Sequence, residues 1–361
     1  MGGGGSGERR ISFGVAYDAL DTTRDVAGQL DAMLRAAELV ESLGFDSIWF
    51  GETHRRKAGH GHFPTPLLLA AAVAARTGRL QIGTAVLLLP AYSPLQAAEQ
   101  AAVVDQLSAG RLLLGVAPGL EVYRDFGFAN LGVRAEGLTE RTVEGLGVVR
   151  RLWSEPTVTH KGRFYEYEEA ACVPGPHRPG GPPIYMGGIT PRAIAQAAAV
   201  DGWIGGTPYP LGLLEKVRQR LDEARAAQPD DDRAAGSTFC LIRPVVVDRS
   251  GEEARELSQR HLAPLIRYYL DRGAYIDESF QAVRRPPPSL LHEAMAQIGV
   301  VGNPGECRAA LRRYAELAGV DHFILRVRFP GSDEKTTEGA LRLLAEEVLP
   351  AFRQGEVAAG T

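Results

Sequence analysis

Eight apolar runs of strand length recur along this chain, each followed by a helical pattern, and this repeat constrains the fold more than any other feature. The runs are continuous rather than alternating, which is typical of parallel strands covered by helices on both faces. They occupy residues 11–16, 47–51, 80–89, 111–116, 183–187, 202–206, 239–247 and 322–327. Eight strand-then-helix units in 361 residues predict an α/β fold, a single closed (β/α)8 TIM barrel, more than an open doubly wound sheet.

Two insertions interrupt the repeat, after strands four and seven. Residues 157–173 carry Lys161-Gly162-Arg163 between β-branched and aromatic residues, which predicts a hairpin beside the barrel. The segment 270–299 contains mixed charge and three successive prolines, so part of it is irregular, and we expect it to be an active-site lid. Residues 1–10 are Gly-rich and are predicted to be a disordered tail, which leaves 11–355 as the single barrel domain.

Composition excludes several classes of function. The formal net charge of -4 gives no electrostatic reason to expect nucleic acid or an anionic membrane as a partner. The first residues have no apolar core, so they predict neither a secretory signal nor a membrane span. The three cysteines are scattered, without paired or metal-binding spacing, and this pattern suits a reducing cytoplasm.

Polar residues follow the second predicted strand, where a barrel carries its catalytic groups. His54 is the best candidate for a general acid or base, because the pKa of an unperturbed imidazole lies near neutrality. The equally weighted alternative is that Glu52 ties loops together and His54 is an ordinary rim histidine. His60-Gly61-His62 resembles the His-x-His pair of metal-dependent barrel hydrolases, but its glycine-flanked loop favours a polar loop, and no metal site is predicted.

Glycine-rich corners close two later strands. At Gly187-Gly188-Ile189-Thr190, followed by proline, free backbone N–H groups of a helix would face the barrel mouth and bind a phosphate; a plain tight turn is the alternative. Gly206-Thr207 closes the next strand and allows close backbone approach to a ligand. Arg141 is a further candidate phosphate contact, against the default of an exposed arginine on an amphipathic helix.

Two more corners favour a flat ligand. Gly119-Leu120 would let a ring lie against bare backbone, and Thr84-Ala85-Val86 places small side chains within an apolar strand. Neither corner is diagnostic alone. With the Gly187 corner they predict a phosphorylated, planar, mostly apolar cofactor, and a flavin fits that description.

The chain resembles the bacterial luciferase-like flavin-dependent monooxygenases over nearly its whole length. The segments that carry the resemblance are Gly51-Glu52-Thr53-His54, residues 82–90, residues 105–111, Gly119-Leu120 with Asp125-Phe126-Gly127, and residues 301–307. The resemblance implies a (β/α)8 barrel that binds reduced FMN or, in related branches, the deazaflavin F420, and that forms a homodimer through its early helices. By similarity, Ala85-Val86 matches a non-proline cis peptide under the isoalloxazine ring. The Gly187–Thr190 corner and Arg141 match phosphate contacts.

Two differences from luciferase itself bear on the reaction. Thr53 replaces the first histidine of a Glu-His-His run, and Ala117 and Pro118 replace a reactive cysteine and an arginine. These differences predict a reaction other than light emission from a long-chain aldehyde.

The implied activity is a two-component monooxygenase. Reduced FMN from a separate reductase reacts with O2 to give a flavin C4a-hydroperoxide, which oxygenates a small organic substrate. The chain has no GxGxxG nicotinamide motif of its own, which favours an external reductase, and His54 would relay protons. The alternatives are an F420-dependent oxidoreductase that transfers hydride without O2, and a non-catalytic flavin-binding partner subunit.

Overall fold

Eight parallel strands form the centre of the molecule, in a computed structural model that describes residues 10–17, 20–21, 23–54, 60–61, 63–119, 128–134, 136–227, 237–329 and 331–353. The strands are β1 Ser12–Ala16, β2 Ser47–Phe50, β3 Gln81–Thr84, β4 Leu112–Ala117, β5 Ile184–Gly187, β6 Gly202–Gly205, β7 Thr238–Val247 and β8 His322–Arg326. Each pairs in parallel with the next, and β8 pairs with β1, so the sheet closes on itself. The predicted (β/α)8 barrel is confirmed.

Helices surround the strands and bury an apolar layer against them. They are α1 Val26–Ser42, α2 Pro66–Ala74, α3 Pro94–Leu107, α4 Leu138–Ser154, α5 Pro191–Ala198, α6 Leu211–Ala226, α7 Gly251–Asp271, α8 Leu290–Ile298, α9 Pro304–Leu317, α10 Glu334–Leu343 and α11 Pro350–Arg353. Local sequence fixes several of their starts, because the side chains of Thr190, Ser250, Asn303 and Asp333 each accept a backbone N–H from the first turn. Within the described part of the chain, no helix combines the length and apolar character that crossing a membrane requires.

The barrel interior is packed with side chains rather than hollow. Trp49, Tyr185 and Ile324 belong to a buried cluster inside it. At the amino ends of the strands, His322 lies 2.6 Å from the Ser12 hydroxyl through Nδ1 and 2.9 Å from the Ser47 hydroxyl through Nε2. The Trp49 indole N–H donates to Ser47 at 2.6 Å. Complete burial lowers the pKa of His322 to about 4, so this imidazole is neutral in the folded protein.

The third strand is shorter than the sequence predicts. The apolar run 80–89 reads as one strand, but β3 ends at Thr84, the peptide bond between Ala85 and Val86 is cis, and Leu87–Leu88 pairs separately with the end of β4. The Thr84 hydroxyl donates to the Gly115 carbonyl at 2.7 Å. Gly115 permits this contact, since a Cβ there would lie 2.1 Å from the Thr84 carbonyl oxygen. The chain therefore turns at the rim, where bare backbone faces the barrel mouth.

The two insertions take different forms. Strands Val158–Lys161 and Glu166–Ala170 form an antiparallel hairpin, and Glu144 of α4 accepts the backbone N–H groups of Arg163, Phe164 and Tyr165 at its turn. Within 270–299, the chain leaves α7, forms an isolated bridge between Ile276 and Ala282, and enters α8. The Ile276 N–H donates to the Pro208 carbonyl at 3.5 Å, which fixes this segment beside the loop after β6.

Candidate functional site

A cavity opens at the carboxyl ends of the strands, where a barrel of this kind places its chemistry. It encloses about 1120 Å³ of empty space, including the part open to solvent. Seven of the eight strands or the loops after them contribute to its wall, and the larger part of the wall is apolar. The residues that line it are Glu52, Thr53, His54, Ala85, Val86, Leu88, Ala117, Pro118, Gly119, Phe128, Leu131, Gly187, Gly188, Ile204, Gly205, Gly206, Thr207, Pro208, Tyr209, Ile242, Tyr269 and Arg326.

Glycines expose the backbone along the β4 to β6 side of this cavity. Gly119 and Gly188 have φ angles of 87° and 121°, a conformation that favours glycine. A Cβ on Gly188 would lie 2.9 Å from the Cβ of Ala193, so a larger residue would disturb the start of α5. A Cβ on Gly206 would meet only the Pro208 Cδ, at 3.5 Å, so its side chain would extend into open space. The arrangement leaves room for a flat ligand against bare backbone, as a flavin ring requires.

A buried carboxylate organises the opposite edge. Glu52, whose side chain is fully buried, accepts the Leu88 N–H at 2.7 Å and the Tyr92 hydroxyl at 2.9 Å. His54 Nε2 lies 2.6 Å from Glu52 Oε1, and its side chain is 19% exposed. Burial, and then the neighbouring Glu52 charge, raise the pKa of Tyr92 above its ordinary value, so the phenol stays protonated and donates to the carboxylate. The pair is held rigidly, with the imidazole facing the cavity.

Most of the residues proposed from the sequence converge on this cavity. His54, Ala85, Val86, Gly119, Gly187, Gly188, Gly206 and Thr207 line it. Thr84 is buried directly behind the wall. Leu120 lies outside the described residues, as do His62, Asp125, Phe126 and Gly127.

The remaining candidates lie beside the cavity rather than in its wall. Thr190 caps α5, its hydroxyl accepting the Ala193 N–H at 3.2 Å, and Ile189 precedes it in the same corner. The Trp203 indole N–H donates to the Gly188 carbonyl at 2.8 Å, which fixes that corner. Arg141 donates through Nε to the Tyr165 hydroxyl at 3.1 Å, so the hairpin insertion holds its guanidinium.

Two residues of this region were not among the candidates predicted from the sequence. Tyr92 contacts Glu52 from 40 positions away, a pairing that no local pattern shows. Arg326 ends β8 and is only 6% exposed; its Nη1 lies 3.4 Å from both the Thr207 and the Tyr269 hydroxyls. A signal for Arg326 did exist, because His322 and Ile324 precede it at a spacing of two and therefore share its inward face.

Arg243 positions the loop after β6 without lining the cavity. It is fully buried, and its guanidinium donates to the carbonyls of Ile242 and Tyr209 at 3.0 and 2.6 Å. The same group lies 4.6 Å from the centroid of the Tyr314 ring. Burial lowers the pKa of Arg243 from its ordinary value, but an arginine remains charged at neutral pH. Gly206 and Thr207 are therefore presented by a fixed loop.

Fold and cavity together define a (β/α)8 barrel enzyme with a glycine-rimmed, largely apolar pocket for a planar ligand. The sequence profile of luciferase-like monooxygenases matches residues 12–322, and the chain belongs to that family. It is 26% identical over 371 aligned positions to the oxygenase component of the flavin-dependent trigonelline monooxygenase of Acinetobacter baylyi, covering 96% of this chain and 97% of that protein. It is 30% identical to an F420-dependent glucose-6-phosphate dehydrogenase of Amycolatopsis mediterranei, covering 89% and 94%.

A solved structure supports the same assignment. A monooxygenase from Streptomyces bottropensis superposes with a TM-score of 0.81 at 25% identity, covering 95% of this chain and 100% of that one. The protein is thus an oxidoreductase of the luciferase-like family, whose members are named for flavin or F420 chemistry.

Proposed function

We propose that this protein is a monooxygenase that uses reduced FMN, delivered by a separate reductase, and O2 to oxygenate a small organic substrate. The observation that carries the proposal is one cavity that combines a glycine rim, the small side chains of Ala85 and Val86, and the buried Glu52–His54 pair. The relative that acts on trigonelline is named as an oxygenase component, which supports an external source of reduced flavin.

In this proposal Ala85 and Val86 would hold the flavin ring, and Gly187 and Gly188 would hold its phosphate. The N-terminal end of α5 would offer a partial positive charge to the phosphate. Arg141, held by the hairpin, supplies a cation near the same corner. When bound, reduced flavin supplies the two electrons with which O2 is split between the substrate and water.

The chain's own residues handle protons and water. Glu52 fixes the imidazole of His54 at the cavity wall, where it can take up or release a proton. Tyr92 and the Leu88 N–H donate hydrogen bonds to Glu52 and keep it oriented. The segment 270–299, fixed beside Pro208, is the proposed lid that keeps solvent from the cavity during turnover.

Anaerobic titration tests the proposal directly. Wild-type protein is titrated with reduced FMN and with reduced F420, and each complex is mixed rapidly with O2 while absorbance is followed. Tight FMN binding and a long-lived oxygenated flavin spectrum are expected. His54→Gln should lower product formation at least tenfold while FMN affinity changes less than threefold; unchanged turnover would remove His54 from the mechanism.

An F420-dependent hydride transfer is the second candidate, favoured by the 30% identity to an F420-dependent dehydrogenase. The same glycine corners accommodate either ring. Tight binding of F420, with no reaction toward O2, would select this function and reject the oxygenase.

The proposed assembly is a homodimer in the cytoplasm. Leu68 on α2 is 67% exposed, and Val103 and Leu107 on α3 are 41% and 57% exposed. Large apolar side chains on neighbouring early helices support a contact between two copies of the chain. The three cysteines are free thiols, which suits a reducing compartment. Light scattering of the purified protein should give twice the mass of one chain.

A further inference from the structure

The wall of the cavity carries one fixed cation. Among the lining residues that the structure describes, Arg326 is the only arginine or lysine. It stands at the carboxyl end of β8, on a strand paired on both sides, so its backbone is held rigidly. The aliphatic residues Ile204 and Ile242 line the same cavity. A permanent charge therefore faces a largely apolar space.

The groups around this cation form a set of hydrogen-bond donors. The hydroxyls of Thr207 and Tyr269 both lie 3.4 Å from Arg326 Nη1. A guanidinium offers five N–H donors in a planar fork that matches the two oxygens of a carboxylate, and each hydroxyl can add one more donor. A hydrogen bond between a guanidinium and a carboxylate is stronger in a site that holds little water than in bulk water, because the effective dielectric constant of the site is lower.

Arg326 lies on the side of the barrel opposite the residues proposed to hold the flavin ring and phosphate, which are Ala85, Val86, Gly187 and Gly188. In a closed ring of eight strands, β8 lies opposite β4, which ends at Ala117, two residues before Gly119. Ala85 and Val86 follow β3, whereas Gly187 ends β5 and Gly188 follows it, so the proposed ring and phosphate contacts lie on either side of β4, across the barrel from Arg326. A molecule held by an acidic group at β8 would thus extend its apolar body toward the middle of the cavity.

From this geometry we propose that Arg326, with Thr207 and Tyr269, forms an anion-binding subsite for the substrate, and that the substrate is a small organic carboxylate with an apolar body. The inference rests on the proposed function, since it takes the glycine rim to hold the flavin. Arg326 acts as a specificity-determining residue that fixes one end of the substrate.

Benzoate and benzamide test the subsite, because they have nearly the same shape and differ in charge. Calorimetric titration of the wild-type protein should show benzoate binding at least tenfold more tightly than benzamide. Arg326→Gln should remove this preference, while the affinity for oxidised FMN changes less than threefold. Arg328→Gln is the matched control: Arg328 lies two residues further on, stacks on Tyr17 at 4.7 Å and does not line the cavity, so the preference should persist.

Two results would overturn the subsite. One is equal binding of benzoate and benzamide to the wild type. The other is a more than tenfold loss of FMN affinity in Arg326→Gln, which would make the arginine a flavin contact. Circular dichroism checks the fold of each variant. If Arg326→Gln does not fold, Tyr269→Phe replaces it, and this variant should bind benzoate at least threefold more weakly than the wild type. An unchanged benzoate affinity in Tyr269→Phe would contradict the proposal. Benzoate preference in a protein that binds neither FMN nor F420 would instead refute the proposed function and leave the anion subsite in place.

Discussion

The buried His322 makes the stability of this barrel depend on pH in a calculable way. Its pKa is about 4 in the folded protein, because burial disfavours the imidazolium, against 6.5 for the free side chain. Below pH 6.5 the unfolded chain therefore binds a proton that the folded chain does not. The contribution of His322 is fully present above pH 6.5 and is lost as the pH falls toward 4.

The size of this effect follows from the difference of the two pKa values. At about 1.4 kcal/mol per pKa unit, the full loss is about 3 kcal/mol, and between pH 8 and pH 5 it is about 2 kcal/mol. His322→Asn removes the titrating group while keeping a polar side chain near Ser12 and Ser47. The variant should be less stable than wild type at pH 8, and its disadvantage should shrink by about 2 kcal/mol at pH 5.

Urea unfolding at 25 °C and at pH 8, 6.5 and 5 measures this change. The quantity of interest is the wild-type minus variant difference, since the carboxylates that also titrate affect both proteins equally. A wild-type minus His322→Asn difference that stays constant within about 0.5 kcal/mol would refute a neutral, buried imidazole.

Further predictions concern the site and its supports. Gly206→Leu should fill the cavity and lower FMN affinity more than tenfold, with little change in melting temperature. The control is Gly147→Leu, which lies at an exposed helix position with open space around it and should leave FMN affinity unchanged. Flavin fluorescence titration compares the two variants. Tyr92→Phe removes one donor from buried Glu52 and should destabilise the fold by about 1–3 kcal/mol in urea unfolding; a cost near zero would mean that this hydrogen bond is not maintained. Glu144→Ala should raise hydrogen exchange at residues 163–165, unlike Glu166→Ala on the exposed strand of the same hairpin, and equal exchange in both variants would argue against the Glu144 contact.

The features that the sequence predicts correctly are those set by residues close to one another in the chain. The barrel and its helix starts follow from apolar periodicity and from capping residues such as Thr190, whose partner is three positions away. The glycine corners were also recognisable, because a strand that ends in glycines has few alternative uses. The apolar pattern missed the end of β3 at Thr84 because the apolar run continues through it, whereas the family resemblance predicted the cis peptide at Ala85–Val86 that the structure contains. The contact between Thr84 and Gly115 on the neighbouring strand could not be read from the local sequence.

Long-range pairing explains the other omissions. The partners of Glu52 and of Arg326 come from different strands and helices, and the sequence alone does not fix the distances between them. A charged residue at the end of an apolar strand is compatible with either a solvent-facing or an inward-facing side chain. The spacing of two places Arg326 on the same face of the strand as His322 and Ile324, and the closed barrel shows that this face points inward.

The packed layer that contains Trp49 and Tyr185 has a practical consequence for engineering. It lies between His322, with its two serine partners, at the amino ends of the strands and the cavity at their carboxyl ends. The layer is tightly packed, because a Cβ on Gly83 would lie 2.1 Å from the Trp49 ring. Substitutions more than about 7–10 Å apart with no shared partners usually have additive effects. Substitutions that raise thermal stability can therefore be selected at the amino ends of the strands, and substitutions that change substrate specificity can be selected around the cavity. The two sets can be selected in separate libraries and combined afterwards.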